Sequence, residues 1–321
     1  MSRPESSSKL IAPEDVDLGV EVGGVAMDNP VMLASGTAGY GPELADVLDL
    51  GVLGGFVTKG IATYPWEGNA PPRIAETQAG MLNAIGLQNV GLDSFLTDKV
   101  PFLQDLRARG VKVVVNIIGK TVEEYHEVAR GLRGCDAVDA LELNISCPNI
   151  KEGGIAFGTE PCAAGEVTAA TVEGSDKPVW VKLSPNVANI ASMGVACEKA
   201  GATGLSVINT LLGMAIDLET RRPLLSIGAG GLSGPAIKPV ALRMVWQVSQ
   251  ACSIPVIGIG GIWNAKDALE FMVCGASAIQ IGTANFVNPN TALEVVEGMR
   301  QWCAERGVSR IVDLVGTLDR S

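Results

Sequence analysis

Eight short runs rich in β-branched and other apolar residues, separated by amphipathic stretches, constrain this chain more than any other feature. They fall at 31–34, 55–58, 111–115, 140–147, 178–181, 204–208, 255–259 and 278–281. Helical spacing of apolar residues fills several of the gaps, as at 122–132, 190–200, 235–252 and 265–274. Strands alternating with helices imply parallel pairing, because two consecutive parallel strands need a crossover of helix length. Eight such units close into an α/β fold of the (β/α)8 TIM-barrel type. An open doubly wound sheet is the structural alternative, but eight units with glycine-rich ends after both of the last two runs favour closure. A chain of 321 residues with 47% hydrophobic residues is large enough for a barrel core.

Two connections are too long for plain βα turns, 61–92 and 211–234, so loop insertions are expected over the C-terminal face. Within the second, 216–225 reads as a hairpin. Residues 1–15 are expected to be a flexible tail and 16–321 a single catalytic domain. The formal net charge of −11, without basic runs, argues against nucleic-acid and anionic-membrane partners. Seven scattered cysteines with no Cys-x-x-Cys pair suit reduced thiols in a cytoplasm and offer no ligand set for a metal or an iron–sulfur cluster. The N-terminus has no apolar core like that of a signal peptide, and no apolar run could span a bilayer.

Ligand chemistry in such a barrel gathers at the C-terminal strand ends, and these runs end on Gly, Asn, Ser or Lys. For any one of them a simple turn is the better reading; eight together point to a converging site. The fourth run is the densest, with Asn144, Cys147 and Asn149 followed by a glycine-bearing segment, 153–158, that could act as a flap. A cysteine in this setting is more than a small buried hydrophobe. Lys59 and Lys182 end the second and fifth runs, where two cations could hold an anionic substrate, stabilise developing charge or act as nucleophiles. Gly260, Gly261, Gly282 and Thr283 follow the last two runs, where barrels commonly bind a phosphate. No Gly-x-Gly-x-x-Gly or Walker A pattern is completed, so a mononucleotide phosphate fits better than a dinucleotide or ATP. The sole histidine, His126, lies in a charged helical stretch away from the strand ends, which leaves a Ser-His-Asp or Cys-His hydrolase unsupported. Cys147 is thus a candidate proton acceptor. An unperturbed thiol has a pKa of roughly 8.5, which favours mildly alkaline activity.

Several runs, among them 34–36, 80–89, 142–158, 181–186, 208–210, 230–239, 258–261 and 275–285, resemble the class 1 dihydroorotate dehydrogenases, specifically the B-type catalytic subunit. The resemblance covers nearly the whole chain after about residue 18. It implies an FMN-binding barrel that oxidises dihydroorotate to orotate in pyrimidine biosynthesis. Cys147 then matches the base that removes the C5 proton. Asn83, Asn144, Asn149, Asn209 and Thr210 match positions that hold the substrate, with the backbone of Ala84, Ile85, Gly86 and Leu87 completing the pocket. Lys59 matches a position between substrate and flavin, and Lys182 one beside the pyrimidine edge of the flavin. Ser35, Gly60, Asn116, Asn144 and Ile208 match other flavin contacts. Gly234, Gly260, Gly261, Gly282 and Thr283 match contacts on the phosphate side. Gly60 stands where a side-chain-bearing residue is frequent, so only its backbone is left to contact FMN.

The segment 150–158 resembles B-type enzymes, which implies a homodimer of this chain within a heterotetramer. The other subunit would carry FAD and a [2Fe–2S] cluster and pass electrons to NAD⁺. A fumarate-using A-type homodimer is the alternative within the family. Outside it stand a Schiff-base aldolase-like, phosphate-binding barrel and a non-catalytic flavin- or phosphate-binding barrel.

Overall fold

The computed structural model describes residues 10–146 and 157–320. Eight parallel strands close into a barrel, labelled here in chain order: β1 (Val31–Leu33), β2 (Gly55–Val57), β3 (Lys112–Ile117), β4 (Ala140–Asn144), β5 (Val179–Leu183), β6 (Gly204–Val207), β7 (Val256–Ile259) and β8 (Ala276–Ile281). Each pairs with its sequence neighbours, and β8 closes on β1 through Ile279↔Val31, Gln280↔Met32 and Ile281↔Leu33. Every residue of β4, β5, β6 and β7 is buried, which explains why they read as continuous apolar runs.

The helical stretches settle as Val122–Gly131, Ile190–Lys199, Lys238–Ala251 and Ala265–Val273, with a 3-10 turn at Pro235–Ile237 ahead of the third. Their starts have physical causes. Thr121 Oγ1 accepts from Glu124 N at 3.3 Å, Asn189 Oδ1 from Ser192 N at 3.3 Å and Asn264 Oδ1 from Asp267 N at 3.0 Å, each occupying one of the unpaired first-turn donors. Tyr125, Val128 and Ala129 form the inward face of the first helix, while His126 lies half-buried on this outer helix, away from the strand ends.

The strands differ by a few residues at their ends from the runs read in the sequence, and two of these differences have a visible cause. β3 continues through Asn116 to Ile117, because the asparagine side chain turns into the barrel and is satisfied there. β4 stops at Asn144, before Pro148 is reached: the Asn144 side chain folds forward to accept from Ser146 N at 3.2 Å and ends the ladder as a local turn.

The two long connections do more than form loops. Ile74–Thr77 and Gly80–Asn83 from the first, with Leu211–Met214 and Ala229–Ser233 from the second, build one antiparallel four-stranded sheet. The segment read as a hairpin does pair, Ile216–Asp217 against Arg222–Pro223. Before the barrel, Val20–Val22 and Val25–Met27 form a hairpin whose buried face, Val20, Val22, Val25 and Met27, joins the main core. Of the expected tail, residues 1–9 lie outside the described residues; Pro13–Asp15 forms a 3-10 turn, and Ile11 N donates to Ala304 O at 3.3 Å.

Candidate active site at the strand ends

Alternation along β4 and β5 sends Glu142 and Asn144, and Trp180 and Lys182, to the barrel interior. Register then places Lys182 beside Asn144 on one side and Ser206 on the other. Trp180 occupies the level below, where Gly204 makes room for it: a Cβ there would lie 2.8 Å from the indole Cδ1. The polar layer above it is continuous. Glu142, fully buried, accepts from Asn116 Nδ2 at 2.8 Å, from Ser206 Oγ at 2.7 Å and from Gln280 Nε2 at 2.7 Å. The Lys182 ammonium lies 3.5 Å from Glu142 Oε1 and donates to Ser35 Oγ at 3.2 Å. Burial by itself opposes ionisation of Glu142, but Lys182 and the three hydrogen bonds outweigh it and hold the carboxyl below the usual carboxylate range.

Above this layer the amides converge. Asn209 Nδ2 donates to Asn144 Oδ1 at 3.3 Å, and Asn209 Oδ1 accepts from Thr210 N at 2.8 Å. Thr210 packs against Gly231 so closely that a Cβ on Gly231 would sit 2.1 Å from Thr210 Oγ1. Gly231 O in turn accepts from Asn83 Nδ2 at 3.2 Å. Asn83, Asn144, Asn209 and Thr210, from three separate parts of the chain, thus form one connected wall. The turn after Asn83 is pinned by Ala84 N donating to Arg73 O at 2.7 Å and by Asn69 N donating to Ile85 O at 3.1 Å. Gly86 and Leu87 both have positive φ there, at 75° and 56°.

Lys59 follows β2, half-buried, and its backbone N–H donates to Gly39 O at 2.7 Å. Burial pulls its ammonium pKa down; Glu43 opposes this and Arg73 adds to it. Gly60 has no room for a side chain, since a Cβ would lie 2.9 Å from Asn116 Oδ1 and 3.1 Å from Ile118 Cγ2. Ile208 is buried and its N–H donates to Ile259 O at 3.1 Å, which ties the end of β6 to that of β7.

The glycine-rich ends form the remaining side. Gly234, Gly260 and Gly261 have φ of 93°, 127° and 74°, and a Cβ on Gly261 would lie 2.9 Å from Gly234 O and 2.9 Å from Lys238 N. Gly282 O accepts from Asn285 N at 3.1 Å, and Thr283 Oγ1 donates to Ser233 Oγ at 2.7 Å. Lys238 itself is bound by Asp267 and, at 2.7 Å, by Glu270, so its charge is already matched.

Cys147 and Asn149 lie outside the described residues, as do residues 153–156 of the flap expected at 153–158. The residues on either side of 147–156 make defined contacts. Ser146 Oγ donates to Lys182 O at 3.0 Å, and Gly158 lies so near that a Cβ on it would be 2.6 Å from Ile145 O. Phe157 meets the Tyr125 ring edge-on at 5.9 Å, and Tyr125 OH donates to Asn144 O at 2.8 Å.

Four functional candidates escaped the sequence reading. Glu142 looked like an interruption of an apolar strand, and Gln280 like an ordinary strand residue. Ser233 partners Thr283, and Asn186 donates to Thr210 O at 3.2 Å while accepting from Leu212 N at 2.9 Å. A polar residue at an inward position of an otherwise apolar strand is the signal that would have found Glu142 and Gln280.

A flat, phosphorylated flavin fits the residues present. The crowding around Gly261 leaves space only for backbone, as a cradle for phosphate requires. Across the mouth, a buried ammonium and hydroxyl, Lys182 and Ser35, suit the polar edge of the ring.

Comparison with known proteins agrees with this geometry. Residues 17–302 match the family model described as dihydroorotate dehydrogenase. A protein of Geotalea uraniireducens is 58% identical over 302 residues, covering 94% of this chain and 98% of its own length. One from Trichlorobacter lovleyi is 58% identical over the same shares, and one from Pelobacter propionicus 56% over 94% and 99%. All three are described as the catalytic subunit of dihydroorotate dehydrogenase B (NAD(+)). The family is flavin-dependent, which sets aside the aldolase-like reading, and relatives this similar are described as catalytic subunits, which sets aside the non-catalytic one: the chain belongs to the dihydroorotate dehydrogenase family.

Proposed function

We propose that this chain, as a catalytic subunit, oxidises (S)-dihydroorotate to orotate in the cytoplasm during pyrimidine biosynthesis and holds FMN as its own cofactor. The single observation that carries the reading is the Lys182 ammonium, buried between Ser35 and Glu142 directly beside the Asn144–Asn209 pair. A cation beneath a wall of amides suits a ring that accepts charge while a planar, carboxylate-bearing substrate is held above it.

Ser35, Lys59, Gly60, Asn116, Asn144, Lys182 and Ile208 would surround the ring of FMN, and Gly234, Gly260, Gly261, Gly282 and Thr283 its phosphate side. Bound there, FMN supplies a two-electron acceptor for the hydride leaving C6 of the substrate. The chain's own residues do the rest. Asn83, Asn144, Asn149, Asn209 and Thr210 orient the substrate's ring amides and carboxylate, with the backbone from Ala84 to Leu87 closing the pocket. Lys59 contributes positive charge between substrate and cofactor. The Cys147 thiolate takes the C5 proton, so that loss of a proton and a hydride leaves the C5=C6 double bond of orotate.

The electrons leave for NAD⁺ through a partner subunit that carries FAD and a [2Fe–2S] cluster, with two copies of each chain in the complex. Exposed apolar side chains at Leu212, Met214, Ile216 and Leu218 support an assembly larger than one chain. Among the described residues no group of His, Cys, Asp and Glu could hold a metal. The test compares NAD⁺ and fumarate as acceptors, each with and without an iron–sulfur flavoprotein subunit. The isolated chain should reduce artificial dyes with dihydroorotate but NAD⁺ very poorly, and the added subunit should create NAD⁺ reduction. Rapid fumarate turnover by the chain alone would favour the A-type homodimer.

A further inference from the structure

We propose that Glu142 is a positioning residue: its carboxylate is the internal counter-ion of Lys182, and the pair sets the charge presented to the cofactor ring. The inference rests on the reading that FMN lies over Lys182.

Glu142 is 0% exposed and receives donors from four other strands: Asn116 on β3, Lys182 on β5, Ser206 on β6 and Gln280 on β8. A glutamate kept only to fill space in a barrel core would need none of these. An apolar residue of similar size would avoid both the desolvation and the four partners. Its two oxygens divide the work. Oε2 is saturated by Ser206 and Gln280 at 2.7 Å each, while Oε1 takes Asn116 at 2.8 Å and faces the ammonium at 3.5 Å. The carboxylate is therefore locked in place by neutral groups. The long lysine side chain, otherwise free to choose among rotamers, is drawn to it from one side and to Ser35 Oγ from the other.

An ion pair buried at 0% and 6% side-chain exposure has no bulk water to screen it, so the field at the barrel mouth is that of both charges together. The nearer lysine favours negative charge arriving on the ring, and the glutamate behind it moderates that preference. Removing the glutamate's charge without changing its shape should leave the lysine uncompensated.

The experiment uses the FMN-loaded protein and measures the flavin midpoint potential, FMN content and thermal stability. Absence of flavin from the wild-type protein would defeat the underlying reading, whatever Glu142 does. Given a flavin-loaded wild type, E142Q, which keeps the shape, should retain FMN and show a more positive potential. E142D, which keeps the charge, should stay nearer the wild-type potential even though its packing is the more disturbed of the two. A purely structural role predicts the reverse order, with E142Q like wild type and E142D displaced. A folded, loaded E142Q with an unchanged potential overturns the proposal. Should E142Q fail to fold, the neutral pair E142Q/K182Q decides. Recovery of the fold in the double variant supports the pairing, because the lone buried cation was then the defect. Failure of both variants overturns it.

Discussion

Lys182 reaches from a strand end at the mouth down to the carboxylate in the core, and its removal should be felt in two ways. K182A takes one partner from a buried ion pair, a change that typically costs about 3–5 kcal/mol. On the proposed reading it also removes the cation facing the ring. The variant should melt at lower temperature and either lose FMN or hold it at a lower midpoint potential; unchanged FMN content and potential would contradict the assignment. Cys147 is tested separately. Serine is a far weaker acid, so C147S should retain FMN but reduce it with dihydroorotate roughly 10²–10⁴ times more slowly, with any residual activity moved to higher pH. An unchanged rate, read by stopped-flow absorbance, would remove the thiol from the mechanism. Lys59, Lys182 and the asparagines were legible as residues because each terminates an apolar strand or borders a recognisable cluster. Glu142 was not, because what defines it is a set of partners as far away as Gln280, 138 positions along the chain.

At the scale of elements, the eight strands were readable because parallel strands buried on both faces carry near-continuous apolar runs. Several helix boundaries were readable from apolar spacing; the caps at Thr121, Asn189 and Asn264, which fix three of the starts, emerge from the structure. The four-stranded sheet built from the two insertions was not legible. Its central pairing joins Asn83 to Gly231, 148 positions apart, and neither insertion alone carries a strand signal that names its partner. The glycine turns proposed for the phosphate side occupy a middle ground. Their glycines were visible, but the reason for them is the crowding of Gly261 by Gly234 O and Lys238 N together with a φ of 74°. G261A should therefore fold with a strained turn, of about 1–2 kcal/mol for the left-handed backbone alone, and bind FMN measurably less tightly by fluorescence titration. Equal affinity in the variant would show that this turn does not face the cofactor.

On the scale of the whole molecule, a closed barrel brings residues from every third of the chain to one mouth, and the sheet built from the insertions adjoins it where Gly231 meets Thr210 and Ser233 meets Thr283. No described helix is long and apolar enough to cross a membrane. The buried polar layer of Asn116, Glu142, Lys182, Ser206 and Gln280 sits directly beneath that mouth, so the core and the site share residues. Such an arrangement favours a preorganised pocket in which charge and shape are set before substrate arrives. The central claim is that this mouth transfers a hydride from dihydroorotate to a flavin held by this chain. Anaerobic mixing of the purified, flavin-loaded protein with dihydroorotate tests it most directly. The account predicts that the visible flavin absorbance bleaches within the mixing experiment and that orotate forms in equal amount; a flavin spectrum that stays oxidised with excess dihydroorotate would contradict it.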